Sequence, residues 1–219
     1  MSVTPFRDLR HAFGKARDQG SRPTCCAFAC SDAHAAVRPG WTELSCEYAH
    51  YHGARRQGTG PDRGVYLATM LDVLQQDGQP RELGWPYSVA PITNVSKWLP
   101  PADVGELFNA AGTRIVSNDI ASMRSAIDAG QPVVMVIKLS DAFYFGADAD
   151  GVIDSTEAPD ATRVHSVVAV GHGTRGSEAL TLVRTSWGVY WVLDGHAWLT
   201  DRYLEPRLLE WATLTKLVT

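Results

Sequence analysis

The chain is as informative for what it lacks as for what it holds. It has no run of lysine or arginine of the kind that tracks phosphates, and its formal charge of -4 is mild, so nucleic acid is excluded as the expected partner. No window approaches the ~18 uninterrupted apolar residues that a membrane-spanning helix needs. The N-terminal run Met1-Ser2-Val3-Thr4-Pro5-Phe6-Arg7 lacks a basic stretch, an apolar core and a small-residue cleavage site, so no secretory signal is read there. Internal repeats, low-complexity tracts and linker-like boundaries are also missing. Only four cysteines are present, and two of them, Cys25 and Cys26, are neighbours, a poor basis for a disulfide framework.

What remains is a chain of 219 residues, 45% of them hydrophobic, enough to bury a substantial core as one compact unit or two small lobes. The first part reads as helical. Thr24 followed by Cys25 to Val37 predicts an N-capped helix stopped by Arg38-Pro39-Gly40, with Cys25 in its first turn. Ser45 is expected to cap a second helix that ends before Gly58, and Val65 to Gln76 carries apolar residues at helical spacing. From about residue 113 the texture changes. Ser117 to Ala129 suggests a short helix, and Val133 to Leu139, Val164 to Val170 and Leu180 to Thr185 read as strands. The run Gly171 to Gly176 is taken as the turn between the last two.

This is α+β organisation within a single domain, 1–219, divided into a mainly helical lobe at about 1–112 and a mainly β lobe at about 113–219. It places Cys25 at the surface of one lobe and His165 on the first buried strand of the other, with a cleft between them. Cysteine at a helix N-terminus, where free N–H groups and the helix dipole favour a thiolate, points to nucleophilic acyl transfer.

Several runs carry a family resemblance. Gln19, Gly20, Cys25, Ala27 and Phe28 keep the register of the pattern Gln-Gly-x-Cys-Gly-Ser-Cys-Trp-Ala-Phe. His165 to Gly173 follows His-Ala-Val-x-x-Val-Gly-Tyr-Gly, and Thr185-Ser186-Trp187-Gly188 with Gly195-His196 resembles Asn-Ser-Trp-Gly followed by Gly-Tyr. Leu44-Ser45 and Trp85-Pro86-Tyr87 add further landmarks. The chain thus resembles the papain-like cysteine peptidases, bacterial members in particular, over nearly its whole length.

That resemblance implies a papain-like fold, an N-terminal helical lobe and a C-terminal β-sheet or half-barrel lobe with the active-site cleft between them. It assigns Cys25 as nucleophile, His165 as base, Gln19 as oxyanion donor beside the backbone N–H of Cys25, and Thr185 to the place of the asparagine that orients the histidine. A threonine hydroxyl is shorter than that amide and also donates. Trp187 is expected to shield the histidine's hydrogen bond, and with Gly64 and Val164 is placed among the substrate-binding residues. Cys26 occupies the slot of the family tryptophan and is read as packing. Arg22 stands where the family has a cysteine, so the bridge that cysteine makes is missing, while Cys30 and Cys46 are expected to be buried small apolar residues. These features predict a reducing, cytoplasmic compartment. Secreted relatives carry an inhibitory segment ahead of the mature domain, whereas here the mature-like sequence starts almost at Met1; if Met1 is the natural start, nothing in cis is expected to mask the site.

The expected activity is hydrolysis of a peptide or isopeptide bond in a peptide or protein substrate. An acyltransferase or amidase using the same thioester, and a catalytically impaired binding module suggested by Thr185, are the alternatives. No cofactor, membrane or metal is implied: Asp148 to Asp154 lacks the ligand pattern of a calcium loop and reads as a polar turn, and Asp141 and Asp160 have no metal-site spacing. His11, His34, His50, His52, His172 and His196 are read as surface or core residues.

Overall fold

The computed structural model describes residues 2–217, so Met1, Val218 and Thr219 of the expected 1–219 domain lie outside the described residues. Its helices are α1 (Cys25–Ala36), α2 (Cys46–Gln57), α3 (Leu67–Gln76), α4 (Ile120–Asp128), α5 (Asp141–Phe145) and α6 (Asp201–Leu204). The strands are β1 (Thr4–Asp8), β2 (Ala110–Ile115), β3 (Val133–Lys138), β4 (Val152–Ile153), β5 (Val164–Arg175), β6 (Glu178–Arg184), β7 (His196–Thr200) and β8 (Leu208–Lys216). They form one eight-stranded sheet in the order β2-β8-β3-β5-β6-β7-β4, with β1 paired to β5. The α+β reading holds.

Local chemistry explains most helix limits. Ser45 caps α2 by accepting the Tyr48 N–H at 3.0 Å, and Gly58 closes it with a left-handed φ of 66°. Asp119 caps α4 through the N–H of Ser122. α3 starts two residues later than Val65, with Tyr66 extended at the cap position and its N–H bonded to the Gln57 side chain at 2.7 Å. Thr24 holds the cap position of α1 but not the cap bond: its hydroxyl pairs with the Tyr87 hydroxyl at 2.8 Å.

The sheet departs further from the sequence expectation. β5 runs straight through Gly171 to Arg175, and the turn is only Gly176-Ser177. The glycines there admit β1, since a Cβ at Gly171 would stand 2.5 Å from the Arg7 carbonyl oxygen, and one at Gly173 would meet Thr4. The boundary at about 112/113 falls inside β2, and the N-terminal β1 belongs to the sheet, so the lobes are not consecutive blocks of sequence. His165 lies on β5, and β3 is the earlier buried strand.

Both faces of the sheet are covered, which is why β3 and β5 read as continuous apolar runs rather than alternating ones. Val134, Val136, Val168 and Val170 join the core under α1, α2 and α3. Met135, Ile137, Val167 and Ala169 join the opposite core with Met123, Ile127 and Phe143 of α4 and α5. Fully burying each such valine, leucine or phenylalanine contributes about 1.5–3 kcal/mol. α1 packs across β5, which brings its N-terminus to the start of that strand.

Candidate active site

The segment Asp18 to Cys25 is tied down from several directions. Arg22 inserts into the helical lobe and donates to both carboxylate oxygens of Glu47, at 2.6 and 2.9 Å, each side chain only 2% exposed. Glu47 also accepts from the Trp98 indole at 2.6 Å and the Ser88 N–H at 3.1 Å. The Tyr87 hydroxyl donates to the Gln19 carbonyl at 2.8 Å, and Gly20 turns with a φ of 60°. Burial pushes the Glu47 carboxyl upward, but Arg22, Ser88 and Trp98 outweigh it and hold the group below its usual range. An ion pair thus stands where the family bridge is missing.

The Gln19 side chain is fixed at both ends. Its Nε2 donates to the Arg22 carbonyl at 2.8 Å and its Oε1 accepts from the Ser186 hydroxyl at 2.5 Å, while the Gln19 N–H bonds the Ser186 carbonyl at 2.9 Å. One Nε2 proton is left over for another acceptor.

Across the cleft, His165 follows Val164 at the start of β5. Its Nε2 lies 2.8 Å from the Thr185 hydroxyl, as the sequence placed it. Trp187 covers the imidazole, ring centroids 4.8 Å apart and inclined by 31°, with Phe143 packed edgewise at 6.1 Å. The tripeptide Thr185-Ser186-Trp187 therefore supplies the histidine's hydrogen-bond partner, the glutamine's anchor and the histidine's cover.

A cavity of about 680 Å³ opens beside Cys25. Gly64 and Val164 line it as expected, together with Cys26, Tyr66, Leu67, Val136, Ser166 and Glu210; Trp187 does not, its place being over His165. Glu210 is paired with Arg114 from β2. Sequence reasoning missed Glu210, which comes from β8, and Ser166, which stood in the quoted His165 run but had no face assigned. Tyr87 was noted as a landmark only, and its role in pinning the Gln19 loop was not visible.

The electrostatics correct one expectation. Cys25 is part-exposed to the cavity, yet burial of its sulfur, with Cys26 beside it, pushes the thiol up to about 11, the amide and hydroxyl of Ser166 acting in the opposite direction. Burial alone pushes His165 down to about 3. The helix N-terminus does not by itself give a thiolate. Burial pushes each group toward its neutral form.

All four cysteines are free, with Cys26, Cys30 and Cys46 buried. His34, His50 and His196 are buried and held neutral mainly by desolvation, and His172 pairs with Asp128 near the surface. Asp148 caps its own turn through the N–H groups of Asp150 and Val152. No cluster of metal-ligating side chains occurs among the described residues, and no helix there is long and apolar enough to cross a membrane.

With this geometry in hand, the kinship is specific. The fold is shared with xylellain, a cysteine protease from Xylella fastidiosa, at a TM-score of 0.78 and 18% identity, covering 99% of this chain and 88% of that one. A Carica candamarcensis cysteine protease in complex with E-64 gives 0.74 and 22% identity over 96% of this chain and 98% of its own. The Tenebrio molitor larval digestive procathepsin L 3 gives 0.76 and 17% over 100% and 73%. A cathepsin L-like proteinase of Fasciola hepatica is 25% identical over 134 residues, which are 61% of this chain and 39% of that protein. Residues 5–205 match the sequence profile described as papain family cysteine protease, and the chain belongs to that family.

Proposed function

We propose that the chain is a thiol peptidase that hydrolyses peptide or isopeptide bonds through an acyl-enzyme on Cys25. In this reading His165 removes the Cys25 proton as sulfur attacks the acyl carbon, and the tetrahedral oxyanion takes hydrogen bonds from the Cys25 backbone N–H and the free Nε2 proton of Gln19. The imidazolium returns its proton to the departing amine, and a water activated by the same imidazole hydrolyses the thioester. Thr185 orients the ring, Trp187 keeps water from that contact, and the cavity bounded by Gly64 and Val164 takes a substrate side chain next to the scissile bond. The observation that carries the proposal is the Thr185-Ser186-Trp187 run, which holds His165 and Gln19 in fixed relation.

The made contact between His165 and Thr185 weighs against a retired binding module. Four free cysteines and an ion pair in the place of a bridge favour a reducing, cytoplasmic setting. The test is release of peptides from denatured casein. Activity that disappears in Cys25→Ala supports the proposal; activity that persists in that variant, or none in the parent, refutes it.

A further inference from the structure

β5 alternates its side chains between the two cores. Val168 and Val170 point to the helices and Val167 and Ala169 to the opposite side. A period of two then sets Ser166 on the α1 face and His165 on the other, although the two are consecutive. Ser166 pairs in register with Val136 of β3, and both line the cavity together with Cys25 and Cys26. A serine therefore stands at the head of an apolar row, only 4% exposed, at the position where the family pattern has alanine. A buried hydroxyl is costly unless it is hydrogen-bonded. Ser166 and Cys25 line the same cavity, and the amide and hydroxyl of Ser166 both act to lower the Cys25 thiol.

We propose that Ser166 is a further catalytic residue, its hydroxyl donating a hydrogen bond to the Cys25 sulfur that strengthens as the thiol becomes a thiolate. A thiol sulfur is a weak acceptor and a thiolate a strong one, so the bond favours the reactive form. The backbone N–H of Ser166 remains whatever the side chain, which makes the hydroxyl the adjustable donor. Other titratable or charged groups at the same cavity are Cys26 on α1, Glu210 on β8 with its partner Arg114 on β2, and Arg63 ahead of α3.

The inference rests on Cys25 being the nucleophile. Its test is the pH dependence of Cys25 alkylation by iodoacetamide, followed by intact mass, with Cys25→Ala as blank. Ser166→Ala is expected to move the midpoint up by about one pH unit, a tenfold loss of thiolate at a given pH below it. Ser166→Thr, which keeps the hydroxyl, is expected to hold the parental midpoint, with both variants melting close to the parent. A parental midpoint in Ser166→Ala, or a Ser166→Thr midpoint moved as far as that of Ser166→Ala, overturns the role of the hydroxyl and leaves the peptidase reading intact. A parent in which Cys25 reacts no faster than Cys26 overturns both.

Discussion

The loop from Asp18 to Cys25 and the start of β5 face one another across the same cleft, yet they are held by different means. The loop is locked by a two-pronged arginine–carboxylate pair, an indole, two hydroxyls and a left-handed glycine. His165 is held by one hydroxyl, the Trp187 ring over it and Phe143 packed edgewise. The Gln19–Cys25 side is fixed by charge-assisted hydrogen bonds that fit one geometry, whereas the His165 side relies on a partner that works in two. With Nε2 protonated, the ring donates to Thr185 Oγ1 and leaves Nδ1 free as a base. With the Thr185 hydroxyl donating to Nε2 instead, the proton sits on Nδ1 and the ring is idle. An amide oxygen accepts only and removes that second state.

The largest break in this comparison is expected on the locked side. Arg22→Met strands Glu47 as a buried charge, which costs about 3–5 kcal/mol, read in a thermal melt as a fall in Tm on the order of 10 °C. The same pair has a pH signature. The folded carboxyl of Glu47 lies below its unfolded value, so its contribution is complete above the unfolded pKa of about 4.3 and is lost as pH falls through the lower folded value. Acid melts of the parent should show this loss, and those of Arg22→Met should lack it. A variant that melts like the parent would mean that the loop is held by something else.

Next in size is Gln19→Ala. Removing one oxyanion donor is expected to reduce turnover on the order of 10²-fold, while leaving alkylation of Cys25 by iodoacetamide unchanged, because the donor acts on the transition state and not on thiolate formation. Equal turnover in the two proteins removes Gln19 from the site.

The smallest effect sharpens the comparison from the loose side. Thr185→Asn is expected to raise peptide turnover by up to about tenfold, equivalent to about 1.4 kcal/mol, and to widen its pH range. Thr185→Val, which keeps the shape and removes the acceptor, should narrow it. Identical pH–rate profiles in all three proteins would separate Thr185 from the base.

What the sequence disclosed follows the same divide between local and distant. Cap and breaker residues placed α2 and the body of α1, and motif spacing put Thr185 beside His165 and Gln19 before Cys25, because those signals lie within a few residues or in a shared register. Contacts that depend on the fold were hidden. Gly171 to Gly176 carries turn-forming composition, but its glycines serve the approach of β1 from the other end of the chain. Arg22 was legible only as a lost cysteine, since its partner Glu47 is 25 residues on and reached through packing. Thr24 looks like a cap by type, and only the position of Tyr87 shows where its hydroxyl goes. The raised thiol of Cys25 was also hidden, because it reflects burial in the folded protein, with Cys26 beside it, and not the position of Cys25 in the sequence.

The central claim is that Cys25 and His165, each unwilling to ionise alone, act as one acid–base pair. Its most direct measurement is the pH profile of Cys25 alkylation by iodoacetamide in the parent and in His165→Ala, read by intact mass. The account predicts a parent that reacts throughout the neutral range and a His165→Ala variant that reacts only above the ordinary thiol value of about 8.5. A His165→Ala protein alkylated at neutral pH as fast as the parent would contradict it.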